Sequence, residues 1–477
     1  MKMKRMNKFF GFVILSCLTS FGIASAQPKL REQIEGLTSQ HSAEDVQYGV
    51  VVQDLKSGDV IFQKNAHIPL NPASNTKLLT TFSALSLLGP EFRFKTELLG
   101  LESKNKETLK TLTLKGYGDP FFSTERLAGM VRQLKARGIR SVEEVRLDAT
   151  FFDGDGFPGR MEGRQRDAAF NCTVSALSID HNRLEVVVVP GRRIGEPAEV
   201  SLNPPLPGFL LEAEVQSGKK RGRVIVKNAE SESEKPEISV RGLVAAGGGA
   251  ETFPISVHQP QALVGQRLLA ALQTEGIQVS TAARFGAAPD KSSVLAETLS
   301  PPLGEILQEI NKQSDNFMAE QLTKYLGARF GKNPGSTSAG VRVILKQLKE
   351  LGVKLSGVML ENGSGLSKKN RIPAETLVQV LQKAYQDPKL RSDFLSSLSI
   401  LGVDGTLRRK FKNSDAAGRF FGKTGTLNGV SALSGYAFPS ADSEAGPYAY
   451  AFILNGGGKN FWKEKQLQQD ILSLLLK

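Results

Sequence analysis

Three short stretches of this sequence hold side chains able to make and break an acyl bond. In "NPASNTKLLTTFSALSLLG", Ser74 stands three residues before Lys77 at what reads as the mouth of a helix. A serine hydroxyl is a poor nucleophile at its own pKa, so a catalytic serine needs a base within hydrogen-bond reach. Residues three apart on a helix share a face, and the free N–H groups of a first turn favour negative charge. The same spacing also describes a capping serine followed by a solvated lysine, and Ser103 with Lys106 and Ser217 with Lys220 repeat it. Ser314-Asp315-Asn316 lies between two helical segments, where a hydroxyl and an amide could face a cleft. Ser103/Asn105 and Ser201/Asn203 show the Ser-x-Asn spacing in plain loops. Lys423-Thr424-Gly425 falls on a predicted strand and is the only Lys-Thr-Gly in the chain. Its bland reading is a solvated amine beside a glycine bulge. What favours chemistry is the set: Ser-x-x-Lys, Ser-x-Asn and Lys-Thr-Gly in that order, at a helix mouth, an inter-helix loop and a strand.

The elements that must position these groups are legible as patterns. Residues 48–66, "YGVVVQDLKSGDVIFQKNA", alternate in polarity and turn at Ser57-Gly58, which predicts a β-hairpin. In the helix after Ser74, Leu78, Leu79, Phe82, Leu85 and Leu88 recur at three- and four-residue steps, and Gly89-Pro90 ends it. From about residue 93 to 290 the texture changes to short strand-like runs such as "TLTLKGYGDPFF", "RLEVVVVPG" and "GRVIVKNAE", predicting β-rich modules. "AAGGGA" at 245–250 lacks a phosphate-loop lysine and reads as a turn rather than a nucleotide site. Helical periodicity returns after residue 300, followed by two antiparallel strand segments and a closing amphipathic helix. The two ends share a texture that the middle lacks, which predicts an α/β host domain interrupted by inserted material.

The ends and the bulk composition bound the setting. Residues 1–26 carry Lys2, Lys4, Arg5 and Lys8, an apolar run from Phe9 and an Ala24-Ser25-Ala26 site. This is the pattern of a secretory signal peptide, too short and too soon interrupted to be a membrane span. A second reading makes Ile14-Leu15-Ser16-Cys17 a lipobox that anchors the mature chain through Cys17. Losing residues 1–26 lowers the formal charge from +13 to +9, so the exported chain stays basic. Peripheral association with an anionic wall or membrane surface is one expectation from that charge, and a merely solvated basic surface is the other. Only Cys172 then remains, which excludes an intramolecular disulfide in that form and leaves stability to apolar cores. A mature chain of about 450 residues predicts two to four domains. His41, His67, His181 and His258 are scattered without metal-ligand spacing, so no metal or cofactor is predicted, and no motif points to nucleic acid.

The three motifs together resemble those of the penicillin-recognising serine enzymes, a motif set shared by β-lactamases and penicillin-binding proteins. Ser74 and Ser314 are 240 positions apart, a gap far longer than in β-lactamases or large transpeptidases. Such a gap resembles the class C, type-4 penicillin-binding proteins, the D-alanyl-D-alanine carboxypeptidase/endopeptidases of peptidase family S13. "VSALSIDHN" and "ENGSGLSKKNR" carry the likeness along the chain. The resemblance implies an α+β fold: a transpeptidase-like domain with an antiparallel sheet flanked by helices and a helical cluster, formed by residues 27–92 and 290–477. It implies one inserted domain from 93–166 and 252–289 and another from 167–251. It further implies that Ser74 is acylated, Lys77 is its base, Ser314 passes a proton to the departing D-alanine and Asn316 holds the peptide amide. Lys423 would complete the positive field, with Thr424, Gly425 and Thr426 at the terminal carboxylate and the N–H groups of Ser74 and Thr426 as oxyanion donors. Asp153 and Lys368 would hold the zwitterionic end of a diaminopimelate side chain, in a pocket lined by Ser364, Leu366 and Leu427. Relatives usually carry arginine at the Lys368 position, so a point charge replaces a bidentate fork there. The implied partners are peptidoglycan stem peptides and β-lactams. A β-lactamase-like hydrolase and a catalytically weak wall-binding protein are the rival readings.

Overall fold

The computed structural model describes residues 26–39, 46–156, 168–171, 173–229, 235–409, 416–440, 446–457 and 461–476. The signal-like stretch up to Ser25, the lipobox Cys17, Cys172 and the polar run 231–234 lie outside them.

The predicted hairpin forms from Val46–Asp54 and Val60–Lys64, with Gly58 at a φ of 84° in its turn. It is one edge of a six-stranded antiparallel sheet. Val46–Asp54 pairs along its whole length with Tyr448–Gly456, then follow Val430–Ala437, Phe420–Leu427 and Ser399–Ile400. The two chain ends therefore build one domain, because strands from each end complete the other's hydrogen-bond ladder. On one face the sheet packs the Ser74 helix, Thr76–Leu88, together with helices Leu303–Lys312, Asn316–Leu326, Thr337–Glu350 and Ala374–Gln386. Leu78, Leu79 and Leu85 are fully buried there, and Phe82 meets the Phe394 ring edge-on at 5.6 Å. On the other face lie the closing helix Phe461–Leu474 and a helix at Ala26–Ser39 that the sequence reading did not anticipate. Leu30, Ile34 and Leu37 give that helix a short apolar stripe at four- and three-residue steps.

The middle of the chain forms a second, six-stranded sheet and two three-stranded sheets. In the larger sheet Thr108–Gly116 and Ser141–Asp148 run parallel, joined by helix Thr124–Ala136. Helix Pro260–Thr274 leads to the short parallel strand Gln278–Val279 on the same sheet. A parallel pair needs a long crossover, and a helix supplies it while burying Leu127, Met130, Val131 and Leu134. The expected β-rich material of the middle section thus carries crossover helices as well as strands. Ser293–Leu299 pairs with Lys95–Glu102, so the inserted sheet extends past the boundary placed at 290. Among the described residues no helix is long and apolar enough to cross a membrane.

Candidate active site

Ser74 lies in a single 3₁₀ turn, Ala73–Asn75, that leads directly into helix Thr76–Leu88. The N-cap position of that helix is Asn75 rather than Ser74, and the Ser74 hydroxyl oxygen accepts from Lys77 Nζ, which disposes of the helix-cap reading. The turn is held from several directions. Ala73 N–H donates to Asn71 Oδ1 at 2.8 Å and Thr76 Oγ1 donates to the Ala73 carbonyl at 2.9 Å. The Asn71 amide in turn donates to the Lys368 carbonyl at 3.0 Å. Ala73 sits at a φ of 46°, a conformation a non-glycine residue keeps only when its surroundings over-determine it. Two glycines let the neighbours come close enough to do that. A Cβ on Gly425 would lie 2.5 Å from the Pro72 carbonyl oxygen, and one on Gly365 would lie 1.9 Å from that of Ala73. The glycine of Lys-Thr-Gly is thus required by the approach of the strand to the nucleophile's turn.

Lys77, the second residue of that helix, is fully buried. Its Nζ donates to Ser74 Oγ at 3.2 Å, to Asn316 Oδ1 at 2.6 Å and to the Ser364 carbonyl at 2.7 Å. Burial lowers its pKa to about 7, against the opposing pull of the Asp315 and Glu320 carboxylates. A lysine tuned this way is partly neutral near pH 7 and can accept a proton. Ser314 takes a left-handed φ of 60° between two helices, and its Oγ accepts from the buried Lys423 Nζ at 2.9 Å. Asp315 caps helix Asn316–Leu326 by accepting from Met318 N–H at 2.9 Å. Burial would raise the Asp315 carboxyl, but His181, Arg183 and the Met318 N–H outweigh it and hold it well below the usual carboxylate range. Asn316 also donates through Nδ2 to the Phe170 carbonyl of the insert at 2.9 Å.

The three motifs therefore converge on one site. Ser74, Ser314, Asn316, Leu366, Lys368, Thr426 and Leu427 line a single cavity of about 420 Å³. Thr424 lies beneath, its hydroxyl donating to Thr406 Oγ1 at 2.8 Å. Two expected pocket residues do not line this cavity. Ser364 is buried under it, its carbonyl engaged by Lys77 and its hydroxyl oxygen accepting from Leu366 N–H. Asp153 lines a different cavity, of about 520 Å³, and is paired with the buried Lys324. The ammonium of Lys324 has no water to solvate it, so it takes the nearest carboxylate and the Asp155 carbonyl. Asp153 and Lys368, expected to hold the two ends of one substrate side chain, thus line two different cavities, with Asp153 engaged by Lys324. The sequence reading also missed Phe170, which forms part of the cavity wall from the insert, and Glu320, buried one helical turn beyond Asn316. The i, i+4 step from Asn316 to Glu320 was the available signal. Among the described residues no group of three or more histidine, cysteine or acidic side chains could hold a metal ion.

The model of the D-Ala-D-Ala carboxypeptidase 3 (S13) family matches residues 30–474. A D-alanyl-D-alanine carboxypeptidase from an Actinomadura species is 32% identical over 444 residues, which cover 90% of this chain and 81% of that protein. Among solved structures, penicillin binding protein 4 from Haemophilus influenzae superposes with a TM-score of 0.80 at 23% identity, over 92% of this chain and 99% of that one. A predatory peptidoglycan endopeptidase from Bdellovibrio bacteriovorus superposes with a TM-score of 0.52 at 16% identity, over 89% and 91%. These two superpositions are likenesses of fold.

Proposed function

The chain belongs to the D-Ala-D-Ala carboxypeptidase 3 (S13) family and is a serine DD-peptidase, and we propose that Ser74 is the nucleophile through which it hydrolyses D-alanyl bonds of peptidoglycan stem peptides. The observation that carries this reading is the buried Lys77 amine 3.2 Å from Ser74 Oγ, held by two further acceptors.

In the first step neutral Lys77 takes the Ser74 proton as Oγ bonds to the scissile carbonyl carbon. The oxyanion is received by backbone N–H groups of Ser74 and Thr426, each such donor contributing about 3 kcal/mol in comparable sites. The tetrahedral intermediate collapses with loss of the D-alanine amine, which takes its proton from Ser314, and Ser314 is reprotonated by the proton that Lys77 took from Ser74, leaving Lys77 neutral again. Lys423, 2.9 Å from Ser314 Oγ, keeps that hydroxyl oriented and supplies positive charge opposite the substrate carboxylate. Thr426 lines the cavity where that carboxylate would sit, and Asn316 offers the substrate amide its side chain. Water then attacks the acyl-enzyme as neutral Lys77 accepts its proton, the Ser74 oxygen leaves, and Lys77 passes that proton to it. Penicillin follows the acylation half of this course and labels Ser74 covalently. At the rim, exposed Lys368 offers a cation to a stem-peptide carboxylate without the Asp153 partner.

Incubating the mature protein with purified muropeptides and weighing the products tests the reaction: loss of a terminal D-alanine or opening of cross-links is the expected result. A fluorescent penicillin should label the wild type on Ser74 and leave Ser74→Ala unlabelled. An adduct mapped elsewhere would remove Ser74 from the mechanism, and rapid turnover of the penicilloyl-enzyme would favour a β-lactamase. The basic, apolar and small-residue order of residues 1–26 supports export to the periplasm, tested by sequencing the mature N-terminus.

A further inference from the structure

Glu320 is a carboxyl group fully buried beside the reacting lysine, with no part in the steps above. One oxygen accepts the Ser364 N–H at 2.7 Å and the other the Gly363 N–H at 3.4 Å. The Ser364 hydroxyl adds a third donor. The same Ser364 residue turns its carbonyl to Lys77 Nζ at 2.7 Å. The turn is further anchored by Thr80, whose hydroxyl donates to the Gly363 carbonyl at 2.8 Å. Helix Asn316–Leu326 thus reaches Lys77 twice, directly through Asn316 and, one turn on, through Glu320 and the Gly363–Ser364 peptide. Burying a carboxylate is costly unless its lone pairs are filled and a cation is near, and both conditions hold here.

Resting on the reading of Ser74 and Lys77 as nucleophile and base, we propose that Glu320 is a positioning residue: it clamps the Gly363–Ser364 turn so that Lys77 is aimed at Ser74, and it supplies negative charge that favours the lysine's ammonium form. Burial holds the Glu320 carboxyl above its ordinary range, and the Ser364 and Gly363 donors and the Lys77 charge offset only part of that. The other charged groups around Lys77 are Asp315, from the loop before the same helix, and Lys423, which reaches Ser314 from the sheet. Asp315, itself paired with Arg183 at 3.2 Å and His181 at 3.5 Å, and Glu320 both favour the Lys77 ammonium, Asp315 the more strongly of the two.

The test is the pH dependence of penicillin acylation, after mass mapping has established the adduct on Ser74. Glu320→Gln keeps an oxygen for the Ser364 N–H but removes the charge. Its acylation rate should rise with pH at a midpoint at least about half a unit below that of the wild type, because one stabiliser of the ammonium is gone. Its plateau rate should fall roughly tenfold or more, since the turn that aims Lys77 is less tightly held. A midpoint that stays in place or moves upward, in an enzyme still labelled on Ser74, overturns the proposal whatever the plateau does. If Glu320→Gln does not fold, Glu320→Asp decides: it keeps the charge but draws it back by one methylene. A wild-type midpoint with a plateau reduced tenfold supports the clamp, and an unchanged plateau overturns it. Failure of wild-type labelling on Ser74 is a separate result, and it would remove the nucleophile assignment itself.

Discussion

At the scale of residues the site consists of two serine–lysine pairs and one amide: Ser74 with Lys77, Ser314 with Lys423, and Asn316 against Lys77. Burial is what tunes the first pair: water that would otherwise stabilise an ammonium is excluded, and the Lys77 pKa falls to about 7. The base must be neutral to act, so penicillin acylation of the wild type should rise with pH through about 7 and level off above it. Stopped-flow acylation rates between pH 5.5 and 9 would check this, and a flat profile would mean that Lys77 does not gate the step. Stability carries the same signature with a definite sign. The folded-state pKa of Lys77 lies below its unfolded value of 10.5, so between about pH 7 and 10.5 the unfolded chain holds more protons and stability increases with pH. The difference in unfolding free energy between wild type and Lys77→Met should therefore shift in favour of wild type as pH rises through that window.

At the scale of elements, a 3₁₀ turn, an inter-helix loop and a strand must meet within a few ångströms, and glycines make room for them. Gly365 has a φ of 81° and its missing side chain leaves space for the Ala73 carbonyl. Gly365→Ala should push the turn aside, lowering stability by roughly 1–3 kcal/mol and slowing acylation about a hundredfold through misplacement of Ser74. Gly58, at a similar φ of 84° in the hairpin turn, has open space where a Cβ would go. Gly58→Ala should cost about 1 kcal/mol through its backbone alone and leave acylation intact. If both variants acylated at the wild-type rate, the clamp around Ala73 would not be what places the nucleophile.

At the scale of the molecule, the insert is tied to the catalytic domain by ions and hydrogen bonds at several points. Arg183 and His181 engage Asp315 of the catalytic loop, and the Phe170 carbonyl holds Asn316. Asp153 pairs with the buried Lys324 of the helix that begins at Asn316. Asp153→Ala should strand that ammonium and destabilise the protein by about 3–5 kcal/mol, read by denaturant unfolding. Adding Lys324→Met should recover most of the loss. A pure substrate-pocket role for Asp153 predicts the reverse: wild-type stability with slower peptide turnover.

The chemistry was legible in the sequence because it depends on residue type and order. Ser74, Lys77, Ser314, Asn316 and Lys423 could be named from three motifs, and the long gap between the first two announced the inserted material. The hairpin, the Ser74 helix and the pairing of the two chain ends followed from periodicity, which reflects local geometry and burial. Partnerships between distant segments were not legible, since any carboxylate can serve any cation until folding sets the distances. That is why the ion pair of Asp153 with Lys324 was not foreseen, and why Ser364, expected in a pocket wall, instead lies beneath the cavity with its carbonyl on Lys77 and its N–H on Glu320. Glu320 looked like one polar residue among several on an amphipathic helix. Only the close packing of the Gly363–Ser364 turn against that helix made it a buried carboxyl group beside Lys77.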